Sequence, residues 1–136
     1  MRQARLESTA SAPVKVSVLD GIQNLLPHGI PEGLQRGSSN LVDAYKKCEL
    51  EGGTLGLYAL SAIISDKAEP SECLKSNVVW SVGFDAPTVL LCSKQLNTIR
   101  TPGDIETETD IKAERGAYFI QSDFELAAGE AKGWMM

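Results

Sequence analysis

The chain has 136 residues, of which 43% are hydrophobic and 23% are charged, and 13 Lys and Arg against 18 Asp and Glu give a formal net charge of -5. This length suits one domain with its own core, and the composition excludes a disordered or collagen-like chain. The negative charge, with no basic cluster larger than Lys46-Lys47, disfavours nucleic acid as a partner, because binding to phosphates needs a basic surface.

Residues 1–13 are small and mostly polar, and we predict that they form a flexible leader before a single domain over residues 14–136. They lack the apolar segment of a signal peptide, and no run of about eighteen apolar residues follows, so neither secretion nor a membrane span is expected. The three cysteines include no Cys-x-x-Cys pair, which favours a reducing compartment. The sequence therefore predicts a soluble, cytoplasmic protein.

The first strand signal is the alternation of Val with polar residues over residues 14–18, and it ends at the turn signal Asp20-Gly21. Residues 22–37 are rich in Pro and Gly, and this predicts a long surface loop with one helical turn near residues 31–35. Long ordered loops often carry binding contacts.

A hairpin is indicated where Gly52-Gly53 separates residues 40–50 from the apolar run at residues 55–64. The second run is short and rich in Gly and Ser, which favours a strand. Its leucines would also suit a buried helical stripe, so strand and helix both remain open for it.

Further strands are predicted from β-branched, aromatic or alternating runs at residues 78–82, 89–92, 107–114 and 117–126 and around Trp134. A polar loop is expected at residues 66–72 and a polar segment at residues 93–101. In residues 118–126 one side is apolar and the other is polar except for Phe119, as in a half-solvated antiparallel strand.

These signals predict an all-β or mainly β fold: an antiparallel β-sandwich of about seven or eight strands with at most one or two short helices. The last residues, 133–136, resemble a strand that is still in progress. We therefore expect either a fragment of a larger protein or a chain that covers this edge in an oligomer.

Four runs carry a resemblance to a known family: residues 20–29 (DGIQNLLPHG), 39–47 (SNLVDAYKK), 66–72 (DKAEPSE) and 115–119 (RGAYF). They resemble the β-sandwich, or supersandwich, region of large carbohydrate-active proteins related to the cellobiose-phosphorylase type of glycoside phosphorylase. In that family the sandwich precedes an (α/α) barrel that carries the general acid and the phosphate site. Because this chain has no room for the barrel, the resemblance implies a catalytically silent piece.

The residues themselves provide no catalytic set. His28, the only histidine, lies in a loop signal without a placed nucleophile, and we expect it to face solvent. The cysteines Cys48, Cys73 and Cys92 are predicted to be structural rather than reactive, and Trp80, between valines, is predicted to lie in the core.

Acidic residues are the other candidates for chemistry. Glu69 and Glu72 share one predicted loop, and a glycosidase needs two carboxyl groups about 5 to 10 Å apart. Glu106, Glu108 and Asp110 alternate, so they would project from one face of a strand, and we expect that face to be solvated rather than to bind a metal.

The ligand-binding candidates are the polar residues after the long loop, together with the acidic pair: Asn40, Asp43, Tyr45, Lys46, Glu69 and Glu72. Tyr45 offers an apolar ring beside polar groups, as a carbohydrate site needs. No catalytic residue, metal ligand or cofactor is predicted, and the chain is not expected to be an enzyme.

The predicted function is that of a non-catalytic β-sandwich module of a carbohydrate-active protein, which packs against a catalytic domain or binds carbohydrate. The alternative is a stand-alone small homo-oligomeric binding protein of unknown ligand, of the kind that mobile gene cassettes such as integron cassettes encode. The expected partners are a carbohydrate and either a second copy of the chain or a missing catalytic domain, without nucleic acid or membrane.

Overall fold

The computed structural model describes residues 1–61, 75–100 and 104–136. Their helices and strands in chain order are β1 (Gln3–Glu7), β2 (Val14–Leu25), α1 (Glu32–Gly37), α2 (Ser39–Ala44), β3 (Lys46–Glu51), β4 (Leu55–Leu60), β5 (Asn77–Trp80), β6 (Thr88–Leu90), α3 (Leu96–Arg100), β7 (Asp110–Lys112), β8 (Gly116–Leu126) and β9 (Ala131–Met135). The predicted loop at residues 66–72, with Glu69 and Glu72, lies outside the described residues.

The strands form three antiparallel sheets. β1 pairs with β9, β2-β8-β6 form a three-stranded sheet, and β5-β4-β3-β7 form a four-stranded sheet. The prediction of a mainly antiparallel β fold is confirmed. The described ranges contain nine strands and three helices of five or six residues, against about seven or eight strands and at most two helices expected. None of these helices is long and apolar enough to cross a membrane.

The main core lies between the three-stranded and the four-stranded sheet, as in a β-sandwich. Its buried side chains are Cys48 and Tyr58 from the four-stranded sheet, Val89, Tyr118 and Ile120 from the three-stranded sheet, and Leu91 and Trp134. Removing such apolar surface from water stabilises a fold by roughly 25 cal/mol per Å².

Two buried tyrosines join the sheets through their hydroxyl groups. Tyr58 donates to the carbonyl of Ala117 at 2.6 Å, and Tyr118 donates to the carbonyl of Thr54 at 2.6 Å. The hydroxyl oxygens of Tyr118 and Ser81 are also 2.8 Å apart and share a hydrogen bond. Burial raises the pKa of both phenols, so they remain neutral donors at physiological pH.

The first long strand does not turn at Asp20-Gly21, as the sequence predicted, but continues to Leu25. Gly21 serves close packing instead of a turn. It lies opposite Phe119, and a Cβ atom at this position would come within 2.3 Å of the Cδ1 atom of Phe119. A glycine in a strand often marks such a close approach.

The two ends of the chain pair with each other. β1 lies inside the segment predicted as a leader, and it pairs with β9 over its whole length. Trp134 of β9 is buried and donates its Nε1 hydrogen to Asp20 at 2.7 Å, and Arg2 forms an ion pair with the same carboxylate at 2.6 Å. A bridge between Val82 and Met135 covers the other side of β9. The terminal strand is therefore paired within the chain itself.

The segment at residues 40–50, predicted as one side of a hairpin, divides into two elements. α2 ends at Ala44, and β3 then pairs with β4 across Gly52 and Gly53, which have φ angles of 57° and 82°. The Gly-Gly hairpin is thus confirmed, and residues 55–60 of the ambiguous run form a strand. The helical turn predicted near residues 31–35 corresponds to α1.

Two expectations about aromatic residues are changed by the packing. Trp80 was predicted in the core, but it is 53% exposed because it projects from the outer face of the edge strand β5. Phe119 broke the predicted alternation because β8 is covered on both faces at this point. With Leu90 and Ala117 it forms a second core cluster, against which Leu96 and Ile105 pack.

Candidate functional site

Two polar clefts adjoin at one end of the three-stranded sheet. The first cleft has a volume of about 410 Å³ and is lined by Gln23, Asp43, Ser93, Lys94 and Glu114. The second cleft has a volume of about 530 Å³ and is lined by Glu32, Gln35, Arg36 and Ser39. Asn24 and Arg115 line both clefts, so we treat them as one double cleft.

Asn24 reaches the double cleft because β2 has a bulge at this position. The register shifts between Gln23, which pairs with Ala117, and Leu25, which pairs with Gly116, so Asn24 is the extra residue. Its φ angle of 58° is left-handed, a conformation that Asn adopts more readily than most residues. Bulges re-aim side chains and are over-represented beside functional sites.

Gly116 allows the sheet to close behind the bulge. A Cβ atom at Gly116 would lie 2.7 Å from the carbonyl oxygen of Leu25 and 2.8 Å from the Cδ1 atom of Tyr58. The neighbouring Arg115 therefore enters the cleft from a backbone that passes close to β2. This close approach is the reason for a glycine at position 116.

Asp43 is the centre of the polar network. Its Oδ1 atom accepts a hydrogen bond from the Nζ atom of Lys46 at 2.8 Å and from the Nε2 atom of Gln35 at 3.1 Å. Its Oδ2 atom accepts from the Nε atom of Arg115 at 3.3 Å. This one carboxylate joins α1 and the neighbouring α2–β3 junction to Arg115, which lies 72 residues further along the chain, just before β8.

The network keeps Asp43 ionised. Burial acts to raise its pKa, but the hydrogen bonds from Lys46 and Gln35 and the positive charge of Lys46 outweigh burial, and the pKa lies below the ordinary 3.8. Lys46 is only 2% exposed, so its ammonium group depends on Asp43 for charge compensation.

Gln35 provides an acceptor that the fold leaves unused. Its Nε2 atom is committed to Asp43, whereas its Oε1 atom is buried and has no hydrogen-bond partner in the part of the chain that the structure describes. A buried polar atom without a partner is rare and destabilising by roughly 1 to 3 kcal/mol. Gln35 lines the second cleft, and because this oxygen is itself buried, a donor in the cleft reaches it only when the side chain turns.

The remaining charges of the double cleft are paired with each other. Lys94 and Glu114 form an ion pair at 2.6 Å, and Arg36 and Glu32 form one at 2.5 Å along α1. Together with the pair between Asp43 and Arg115, these contacts balance the positive and negative groups. The double cleft therefore offers directional donors and acceptors rather than one strong charge.

The structure brings two of the six predicted ligand-binding residues to this site. Asp43 lines the first cleft, and Lys46 lies behind it as its buried partner. Asn40 on α2 and Tyr45 after it are exposed, and neither lines either cleft. The site therefore depends on Asp43 and Lys46 among the described candidates.

The other candidates for chemistry have structural environments. Burial raises the pKa of the thiols of Cys48 to about 12 and of Cys92 to about 11, so both remain protonated and unreactive, as predicted for structural cysteines. Cys73 lies outside the described residues. His28 is exposed, in agreement with the prediction.

Glu108 corrects the prediction of a solvated acidic face, because it is only 9% exposed. Its carboxylate accepts hydrogen bonds from the backbone N–H groups of Leu91 and Cys92 at 2.7 and 2.9 Å and from Gln95 at 2.9 Å. It precedes β7 and turns inward to satisfy the chain after β6. Buried carboxylates with several such donors stabilise local structure.

Sequence reasoning missed the groups that complete the double cleft: Asn24, Gln35, Lys94, Glu114 and Arg115. Glu114 and Arg115 are neighbours in sequence, but Asn24, Gln35 and Lys94 come from three other segments, and no periodic spacing relates them to that pair. The single local signal was an Asn within the run before Leu25-Leu26-Pro27, since Asn tolerates the left-handed conformation of a bulge.

Among the residues that the structure describes, no three His, Cys, Asp or Glu side chains gather as they would to hold a metal ion. No protein-family model matches this sequence, and no curated protein matches it.

Proposed function

We propose that this chain is a non-catalytic β-sandwich module that binds a neutral polyhydroxylated ligand, a carbohydrate, in the double cleft. The observation that carries the proposal is the buried, unpartnered Oε1 atom of Gln35 in the wall of a polar cleft. A sugar hydroxyl group can supply the hydrogen-bond donor that this oxygen lacks.

The balance of charge favours a neutral ligand over an anion. Asp43 and Glu114 face Arg115 and Lys94, and these four groups are already paired in the free protein. An anion would have to break an ion pair before it could bind. A hydroxyl group can donate to a carboxylate and accept from a guanidinium without displacing either partner.

The position of the site also supports a module of a carbohydrate-active protein related to the cellobiose-phosphorylase type. Asn24, Asp43 and Arg115 lie in three separate runs that carry the resemblance to that family, and they meet at the double cleft. In this proposal the module packs beside a catalytic domain and contributes to the binding of its carbohydrate. The buried free thiols of Cys48 and Cys92 suit a reducing, cytoplasmic location.

A second candidate function is a stand-alone homo-oligomeric binding protein of the gene-cassette kind. The exposed apolar sheet face around Trp80 favours it, because a large apolar face on a soluble chain marks an interaction surface. Both candidates retain the double cleft as the ligand site.

The test is a titration of the isotope-labelled chain with neutral cello-oligosaccharides, in which the amide chemical shifts are measured at each ligand concentration. We expect shifts at Asn24, Gln35 and Arg115, and Arg115→Ala or Gln35→Met should weaken binding at least about tenfold, since a hydrogen bond to a charged or buried group is lost. Arg5→Ala is the matched control, because Arg5 is exposed and lies on β1. If neutral sugars cause no shifts while inorganic phosphate does, the proposal is wrong.

A further inference from the structure

Two residues that line the first cleft have left-handed backbone angles although neither is a glycine. The φ angles are 58° at Asn24 and 60° at Ala113, and among the non-glycine residues of the described ranges only Ala86, at 45°, shares this feature. A left-handed φ is unfavourable for a residue with a Cβ atom, and more so for Ala than for Asn. Such strained residues persist where the surrounding structure holds them, and they cluster at ligand sites.

Ala113 lies at the corner where the chain passes from the four-stranded sheet to the three-stranded sheet. β7 ends at Lys112 and β8 begins at Gly116, so the corner consists of residues 113–115. The N–H group of Ala113 donates to the carbonyl of Lys46 at 3.0 Å, and this contact extends the pairing of β7 with β3 up to the corner. The strained residue is therefore fixed to the four-stranded sheet.

The two residues after Ala113 line the first cleft through weakly held side chains. Glu114 forms an ion pair with Lys94 at 2.6 Å, and Arg115 forms one with Asp43 at 3.3 Å. The side chains of Lys94 and Arg115 are 64% and 60% exposed, and ion pairs so open to solvent contribute little. The backbone at the corner, rather than these ion pairs, therefore holds Glu114 and Arg115 in direction.

Alanine restricts this corner more than glycine would, although glycine would relieve the strain. The left-handed region open to a residue with a Cβ atom is small, whereas glycine populates a broad range of φ angles on both sides. Ala113 is exposed, so its methyl group adds little packing. The methyl group at this position thus acts on the backbone and limits the directions that the next two residues can take.

We propose that Ala113 is a positioning residue of the double cleft: its narrow left-handed conformation sets the direction of Glu114 and Arg115 before the ligand arrives. This inference rests on the proposed function, because it concerns the same site. A cleft wall that is ordered in advance binds more tightly, since less conformational entropy is lost on binding. The strain at Ala113 lowers the stability of the chain and raises its affinity.

The first test compares Ala113→Gly with wild type in stability and in the binding of neutral cello-oligosaccharides. Because glycine relieves the strain, the urea midpoint should rise. The dissociation constant should increase about threefold to tenfold, because two side chains of the cleft lose their fixed direction. Ala113→Asn should keep the affinity of wild type, because Asn tolerates the left-handed conformation and is more restricted than glycine.

Ala86→Gly is the matched control. Ala86 is also left-handed and exposed, but it lines neither cleft. Its substitution should raise the urea midpoint in the same way and leave the affinity unchanged.

The second test needs no ligand. Backbone order parameters from NMR relaxation of the free chain should fall at Glu114 and Arg115 in Ala113→Gly and stay unchanged in Ala86→Gly and Ala113→Asn. A wild-type chain that binds no sugar would make the proposed function wrong, and the order parameters would still decide whether Ala113 positions the corner.

Three results would overturn the inference. One is an unchanged order parameter at Glu114 and Arg115 in Ala113→Gly. Another is an Ala113→Gly chain that binds the sugar as tightly as wild type. The third is a loss of affinity that Ala113→Asn shares, because the side chain at this position would then contact the ligand itself.

Discussion

The double cleft and the outer sheet face are two surfaces of one small protein that are built in opposite ways. In the double cleft, polar groups from α1 and the α2–β3 junction meet at Asp43, and Arg115, just before β8, comes from 72 residues away in sequence. On the outer face of the four-stranded sheet, the register of neighbouring strands places Leu55 opposite Trp80. The residues of the double cleft become neighbours only in the complete fold, whereas those of the outer sheet face are neighbours within a single sheet. Substitutions in the double cleft should therefore destabilise the fold, whereas substitutions on the outer sheet face should change the stability of the chain little.

The largest expected effect is on stability, and it differs between the two tryptophans, Trp134 and Trp80. Trp134→Ala should reduce the free energy of unfolding by about 4 kcal/mol, because it removes a buried ring and the hydrogen bond to Asp20. Trp80→Ala, on the outer face, should change the stability of the monomer little. Urea denaturation of dilute protein measures both. Equal losses for the two variants would mean that Trp80 is part of the monomer core.

The next effect tests the dependence of the double cleft on its central carboxylate. Asp43→Ala leaves the ammonium group of Lys46 buried without its partner, and we expect a loss of about 3 kcal/mol in the free energy of unfolding. The double variant Asp43→Leu/Lys46→Met removes both charges and should recover most of that loss. Lys112→Ala on the outer face is the control for an exposed pair and should be near neutral. An Asp43→Ala variant with the same free energy of unfolding as wild type would contradict the role of Asp43 in the network.

Ionisation of Asp43 should account for part of the pH dependence of stability. The pKa of Asp43 is lower in the folded chain than its ordinary 3.8, so its ionisation stabilises the fold fully above pH 3.8. That contribution is lost as the pH falls through the folded pKa. Wild type should therefore lose more stability than Asp43→Asn between pH 5 and pH 3, as measured by urea midpoints. Parallel curves for the two proteins would show that Asp43 makes no contribution.

The smallest expected effect concerns the buried thiols of Cys48, on β3, and Cys92, which follows β6. In a Cys73→Ser variant, Cys48 and Cys92 should not react with a thiol reagent at pH 8, because burial places their pKa values at about 12 and about 11. Both should react in urea. Rapid labelling of either thiol in the native protein would indicate that the core opens on the timescale of the experiment.

Local signals in the sequence predicted much of the fold. The period-two runs at β2 and β8, the Gly-Gly hairpin and the short helical turn at α1 are local patterns, and the structure contains each of them. Asp43 and Lys46, which were predicted because they are polar residues after a Pro- and Gly-rich loop, lie at the double cleft, and their role in binding stays a prediction. The prediction failed where packing decided the outcome, as in the exposure of Trp80 and the burial of Glu108.

The sequence alone determined the class of the fold, since alternating side chains and turn residues act between near neighbours. Tertiary structure decided where the sites lie. It paired β1 with β9, extended β2 past Asp20-Gly21, and carried Arg115 and Gln35 to Asp43. A double cleft made from distant segments has no periodicity to detect, because its residues become neighbours only when the sheets pack.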